Sequence, residues 1–350
     1  MSADTPRDVP ILDIPDTVED RKLWLEKVAV WSALADPSAL KTLHLGERYK
    51  SSYAPPAHKG NPQSRNDYQR CEAFCEHFAW EKRRERPLSF SELNTQLRIT
   101  GEILTGEDLH SQVYSAVFDH ENGTTSDDVE LAVKVYQTSL VPIIFGESRF
   151  EALCNNKILC ETELLDFRTE EWVYRQLEPL QGYTLPYVYG FFHILLPHGE
   201  PCVALVMEKI ESIDPRKVKQ CAVAALPSEQ DALKTVADAL LAASHLMHTF
   251  NLASLDLTRR NILWPVGTFE AMSPTAVFID FGIVEPLRQS LQRGNLADIV
   301  AALGGYGFTV GDIKIWLHAV VRPGSIVAKI FDVLDEKVPE FCERNIRRLA

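Results

Sequence analysis

Three oxygen-bearing side chains stand where short apolar runs end. Asp256 and Asn261 lie in SLDLTRRNILW, and Asp280 lies in AVFIDFG. Each sits at the edge of a run that reads as a strand, so its side chain can be aimed into a cleft rather than into a core. An aspartate, an asparagine five residues on and a later aspartate make a set of hard oxygen donors. Such a set suits Mg²⁺, above all when phosphate oxygens fill the rest of its shell. Lys134 stands in LAVKVY with apolar neighbours on both sides. An ammonium in so apolar a strand needs an anionic partner, and a phosphate or a carboxylate would serve. Singly, none of these is decisive. A lone strand lysine usually lays its stem along apolar surface and keeps its charge in water, and an Asp and an Asn at this spacing recur by chance.

The elements that must position these groups can be read from periodicity. Residues 112–118 (QVYSAVF) and 130–136 (ELAVKVY) read as strands, with Asn122-Gly123 between them as a hairpin signal. Residues 154–177 read as one long helical region, and 186–194 and 202–208 as further strands. Ser228 with Asp231 looks like a capping box ahead of a helix whose Leu233, Val236, Leu240 and Met247 share a face. Two short strands, 261–265 and 276–281, flank a turn, and the chain from Asp298 is helical with breaks at Gly304, Gly305 and Gly307. Ahead of all this, Val18 to Leu34 has helical spacing, 53–65 is Pro-rich linker, and 67–84 is helical again, ending in a short basic run that reads as a solvated helix end. Strands come first and helices later, an α+β pattern with two lobes.

The order of the motifs carries more than any one of them. AVK, a Glu-bearing helix, a strand ending in VMEKI, then H-x7-D-x4-N and a strand ending in DFG follow one another. From about residue 99 the chain resembles the protein-kinase-like superfamily, and most of all the atypical kinase-like proteins abundant in fungi. The phrases EEWVYRQLEPLQGYTLPYVYGFF, ALVMEKI and LDLTRRNIL carry that likeness. It implies an α+β bilobal fold, with a β-rich small lobe over about 99–207, a helical large lobe over about 208–350, and an N-terminal helical extension with a Pro-rich linker over 1–98.

The resemblance also implies roles. Lys134 would grip the α- and β-phosphates of ATP, with Glu170 as its ion-pair partner and Glu171 as the fallback. Gly106, Val113 and Ala132 would belong to the ATP site, and Met207, Glu208 and Ile210 to the hinge that meets adenine. Asp256 would orient the acceptor hydroxyl and take its proton, while Asn261 and Asp280 would hold Mg²⁺. Arg260 matches a loop arginine that steadies the γ-phosphate, although a purely structural arginine fits as well. His248 matches a structural core histidine.

The chain departs from the family pattern in several places. Aligning Val113 with the valine over adenine leaves Gly106 as the sole glycine of the phosphate loop, with Asp108 and Ser111 in the other two places. Loss of glycine limits close approach of backbone N–H groups to phosphate. Ser254-Leu255 stands where protein kinases have His-Arg, so a phosphorylated activation loop lacks its usual partner. The stretch from Gly282 to Asp298 has Ser290 alone as a phospho-acceptor and no Ala-Pro-Glu. The metal and phosphate machinery is thus complete, and the acceptor is open. Three readings compete: a phosphotransferase acting on protein Ser, Thr or Tyr; one acting on a small molecule, as aminoglycoside- or choline-kinase-like enzymes do; and a non-catalytic pseudokinase module.

Composition narrows the partners. The 350 residues carry 36 Lys+Arg against 49 Asp+Glu, a formal net charge of −13. Phosphate backbones and anionic bilayers attract positive fields, so neither nucleic acid nor membrane is expected as a partner. The expected partners are ATP and a hydroxyl acceptor. Seven scattered cysteines read as reduced thiols, and Cys71 and Cys75 have no metal-spaced companions. With no signal-peptide pattern at MSADTPRDVP, a cytoplasmic or nuclear protein is expected.

Overall fold

The computed structural model of the protein describes residues 14–50, 96–106, 109, 111–118, 129–140, 147–164, 167–249, 252–254, 257–271, 273–282, 284–286 and 292–320. They fall into two compact units. The first draws on Met1–Tyr53, Arg84–Trp172 and Tyr187–Lys209, and the second on Ala54–Arg83, Val173–Pro186 and Ile210–Ala350. The fold class is mixed α+β.

The first unit is built on a seven-stranded antiparallel sheet. Its strands are β1 (Thr42–His44), β2 (Arg48–Tyr49), β3 (Gln96–Leu104), β4 (Ser111–Phe118), β5 (Leu131–Tyr136), β6 (Val188–Leu195) and β7 (Pro201–Glu208), in the order β1-β3-β4-β5-β7-β6-β2. Side chains alternate between the faces of a strand, and β5 uses both. Leu131, Val133 and Val135 join Leu97, Tyr114, Phe118 and Val206 in one apolar cluster. Ala132, Lys134 and Tyr136 therefore face the other way. All six residues are buried, which explains why this strand reads as an unbroken apolar run interrupted by a lysine.

Residues 42–49 were expected to belong to a helical extension, and they instead supply both edges of the sheet. β1 pairs with β3 at one edge and β2 with β6 at the other. Residues 45–47 are the whole link between them, and an extended chain spans at most ~3.5 Å per residue. The two edges must therefore approach, so the sheet is rolled. The closure needs a glycine: Gly46 N–H donates to His193 O at 2.8 Å, and a Cβ on Gly46 would meet that oxygen at 2.8 Å.

Helix α1 (Val18–Leu34) starts at Thr17, whose hydroxyl accepts from Asp20 N–H. Arg21, Leu25, Val28 and Trp31 form its buried face, and α1 packs on α2 (Glu147–Asn155). Arg21 is 4% exposed, and it donates from Nε to Cys154 O at 2.8 Å and from Nη1 to Pro15 O at 2.8 Å. A guanidinium cannot shed its charge. Carbonyls at the negative end of α2 are an apt acceptor for it.

The region expected as one helix over 154–177 is three: the end of α2, then α3 (Lys157–Leu164) and α4 (Phe167–Gln176). Asn156 makes the first break. Its side-chain Oδ1 accepts from Leu159 N–H at 3.1 Å, so it caps α3 rather than continuing α2.

The second unit holds α5 (Val218–Ala225), α6 (Glu229–Thr249), α7 (Gln292–Gly305) and α8 (Val310–Val320). It also holds β8 (Leu252–Ser254) paired with β11 (Val284–Pro286), and β9 (Ile262–Leu263) paired with β10 (Val277–Phe278). The Ser228–Asp231 box caps α6, with Asp231 N–H donating to Ser228 Oγ at 3.1 Å. Trp264 is fully buried and its Nε1 donates to the Tyr306 hydroxyl at 3.1 Å. The helix expected at 67–84, the linker at 53–65 and the Asn122-Gly123 turn lie outside the described residues. Among the described residues no helix is long and apolar enough to cross a membrane.

Leu131→Ala should destabilise the protein by about 2–5 kcal/mol, because Leu131 is fully buried in the sheet cluster. Ser228→Ala removes one cap and should cost about 1 kcal/mol. Urea unfolding midpoints at an unchanged m-value are the measurement. A smaller loss for Leu131→Ala than for Ser228→Ala would contradict this placement of the core.

Candidate functional site

In an antiparallel sheet directly opposed residues share a face. Val113 opposes Lys134, which opposes Leu205, and Ala132 opposes Met207. Val113, Ala132, Lys134 and Met207 thus occupy one face of the sheet, away from the apolar cluster. Lys134 is 5% exposed, and its Nζ lies 2.7 Å from Glu170 Oε2, a carboxylate that is fully buried. Glu170 sits in the first turn of α4, where the helix dipole favours negative charge. Removing one member of so buried a pair typically costs 3–5 kcal/mol, because the other charge is stranded (roughly). Glu171 is also buried, but the carboxylate bonded to the lysine is that of Glu170.

A third side chain meets the pair. Tyr136, two residues after Lys134, has the same strand parity, and its hydroxyl donates to Glu170 Oε2 at 2.5 Å. The Lys134 ammonium lies 5.0 Å from the centre of the Tyr136 ring, within cation–π reach.

Gly106 lies two residues past β3, and its N–H and C=O are both taken by one side chain. Gly106 N–H donates to Gln112 Oε1 at 2.8 Å, and Gln112 Nε2 donates to Gly106 O at 2.8 Å and to Leu109 O at 3.2 Å. Gln112 is fully buried, so its amide fastens a loop that has lost two of three expected glycines. Asp108 lies outside the described residues.

At the end of β7, Met207 and Glu208 are buried. Glu208 closes on Tyr187 twice: its carboxylate accepts from Tyr187 N–H at 3.0 Å, and its own N–H donates to Tyr187 O at 2.8 Å. The Glu208 side chain is therefore committed to the strand join. Ile210 is half-buried and belongs to the second unit.

In the second unit the β9–β10 ladder brings two of the expected metal ligands to neighbouring strand ends. Ile262 opposes Phe278, and Ile279 N–H donates to Asn261 O at 3.0 Å. Asn261 is buried and Asp280 half-buried. Asp280 has φ 64, the sole positive φ outside glycine among the described residues. An L-residue there costs about 1–2 kcal/mol, and such a backbone persists where surroundings over-determine it. Next to it, Phe281 is 1% exposed and meets the Tyr174 ring edge-on at 5.2 Å. Asp256 lies outside the described residues, as does the side chain of His248.

The two loop arginines differ. Arg259 Nη1 donates to Gly305 O at 2.8 Å, at the end of α7, and a Cβ on Gly305 would come within 3.2 Å of its stem. Arg259 is the structural arginine of this loop, and Arg260 is exposed.

Sequence reasoning missed Tyr136 and Gln112. Tyr136 had a signal, since a polar-tipped residue two places from a buried lysine shares its face. A glutamine among the apolar residues of β4 was a weaker one.

No family model matches the chain, and no curated protein matches it. Among solved structures, one described as "WaaP in complex with acyl carrier protein" aligns at a TM-score of 0.41 and 12% identity, over 88% of this chain and 98% of that one. A likeness at that level carries no argument about function.

Two measurements test the local geometry. Gln112→Leu should speed hydrogen exchange at the Gly106 amide by at least about ten-fold, because the bond that protects it is gone. Asp280→Gly should unfold at higher denaturant than Asp280→Ala, by about 1 kcal/mol, because alanine keeps the left-handed strain and glycine does not.

Proposed function

We propose that this chain is an ATP- and Mg²⁺-dependent phosphotransferase with a bilobal protein-kinase-like fold, which moves the γ-phosphate to a hydroxyl. The observation that carries the reading is the buried Lys134–Glu170 pair on the sheet face that also bears Val113, Ala132 and Met207. A lysine fixed at 2.7 Å from a buried carboxylate is held for a purpose that packing alone does not require. In this reading the ammonium binds the α- and β-phosphates, and the apolar residues beside it accept the adenine face.

Asn261 and Asp280 fit Mg²⁺. They are an amide and a carboxylate oxygen donor from adjacent strand ends. Among the described residues no group of three or more His, Cys, Asp and Glu gathers to hold a metal unaided, so phosphate oxygens would complete the shell. When bound, the ion neutralises charge that develops on the phosphates. Asp256 holds the acceptor hydroxyl and takes its proton. The acceptor oxygen forms the new bond to the γ-phosphorus as the bond to the leaving oxygen of ADP breaks. Arg260 offers a positive charge to the equatorial oxygens.

For the acceptor we propose a Ser, Thr or Tyr hydroxyl on a protein. A small-molecule hydroxyl is the second reading, supported by the missing Ala-Pro-Glu and by Ser290 standing alone between Gly282 and Asp298. We place the protein inside the cell, as a reduced-thiol protein.

Wild-type protein should be stabilised by Mg·ATP in a thermal-shift titration, by about 2.7 kcal/mol at a hundred times Kd. Lys134→Met should remove that increment. Asp256→Asn should keep it and lose phosphate transfer by a factor on the order of a thousand or more. No increment for wild type at millimolar nucleotide would make the chain a binding module. Labelled ATP offered to mixed proteins and metabolites separates the two acceptors, and label in metabolites alone would exclude the protein acceptor.

A further inference from the structure

We propose that Tyr136 is a positioning residue that fixes the Lys134 ammonium by holding the carboxylate it pairs with. The same Glu170 oxygen takes the Lys134 Nζ at 2.7 Å and the Tyr136 hydroxyl at 2.5 Å. That carboxylate is fully buried and Tyr136 is 4% exposed, so bulk water does not compete for the bond. The terminal torsion of a glutamate carboxylate is soft. A second donor on the same oxygen, coming from the strand that carries the lysine, removes that freedom.

The tyrosine is itself held. Its ring lies 5.7 Å from the Phe167 ring at the start of α4, and it stacks on Phe191 of β6 at 6.3 Å. Two aromatic neighbours and the ammonium over its face hold the ring in the place from which its hydroxyl reaches Glu170. Phenylalanine would keep the ring and all its packing. The hydroxyl is thus separable from the fold, and its role is to tie helix α4 to strand β5 at the atom that matters. Both donors end on one acceptor oxygen, so loss of the hydroxyl removes one charge-assisted bond and the restraint it places on the carboxylate that the lysine meets.

The proposal deepens the nucleotide reading, and only its second measurement rests on that reading. The test uses the full chain as Tyr136→Phe, Glu170→Gln and the double variant. First, acetic anhydride is applied without nucleotide, and acylation of Lys134 is followed by mass spectrometry against exposed lysines in the same spectra. Only a neutral amine has the lone pair that attacks the anhydride, and an ammonium paired with a carboxylate seldom releases its proton. Tyr136→Phe should raise the Lys134 rate roughly five-fold, the weight of one hydrogen bond. Glu170→Gln should raise it further, and the double variant should match Glu170→Gln, because the hydroxyl acts through that carboxylate. Equal rates in wild type and Tyr136→Phe overturn the proposal. So does an additional rise in the double variant, or an equal rise at the exposed lysines, which would mark a merely structural tyrosine. Should Tyr136→Phe fail to fold by circular dichroism, wild type and Glu170→Gln still decide, because equal Lys134 acylation in those two overturns the proposal.

Second, Mg·ATP is titrated by thermal shift. Tyr136→Phe should weaken Kd about five-fold, and add nothing in the Glu170→Gln background. If wild type takes no nucleotide at all, the proposed function falls while the acylation result still decides the role of Tyr136. If acylation responds as expected and the nucleotide Kd of Tyr136→Phe equals that of wild type, the positioning of Lys134 stands and its bearing on the phosphate site is overturned.

Discussion

A charge buried in a protein must be answered where it stands, and in this chain that requirement organises the first unit. Lys134 lies in a strand whose six residues are all buried. Its ammonium tolerates that place because Glu170 meets it from α4. Desolvating both groups offsets much of what their attraction returns, so the pair is a poor source of stability and a strong constraint on geometry. Strand β5 and helix α4 have to keep their relative placement for either charge to remain satisfied. The cluster on the opposite face of the sheet supplies the packing that lets them do so.

The second unit solves a different problem, which is to hold two polar side chains at the ends of very short strands. β9 and β10 have two residues each, too few to be stable alone. Trp264 buries its whole side chain just after β9 and is bonded to Tyr306. Arg259 reaches the end of α7 just before it. Asn261 stands between those two anchors, and Asp280, the residue after the Ile279 that bonds to Asn261, takes a left-handed backbone. Local propensity is overruled at Asp280, where the surroundings hold a backbone that an L-residue disfavours.

Much of this could be read from residue order. The strand that carries Lys134, the capped helix after Ser228 and the two short strands around Asn261 and Asp280 follow from short apolar runs and from a side chain that bonds its own backbone. Glu170 was expected as the lysine's partner from the family resemblance. The rest was hidden for physical reasons. Strands β1 and β2 are three and two residues long, too short to repeat a two-residue alternation even twice, and they pair with partners far along the chain. The split at Asn156 depends on one side-chain cap inside a sequence that is helical on both sides. The bonds of Gln112 and Tyr136 depend on register, which a sequence read one strand at a time does not contain.

The short segment at residues 42–49 has a practical side. It is the only chain lying along the outer rows of β3 and β6 among the described residues. A fragment begun near residue 99 would cut β3 short and bare the hydrogen-bonding groups of two long strands. Such edges recruit strands from other molecules. Fragments of that kind should therefore be sought in inclusion bodies, whereas chains that retain this eight-residue clasp should stay dispersed.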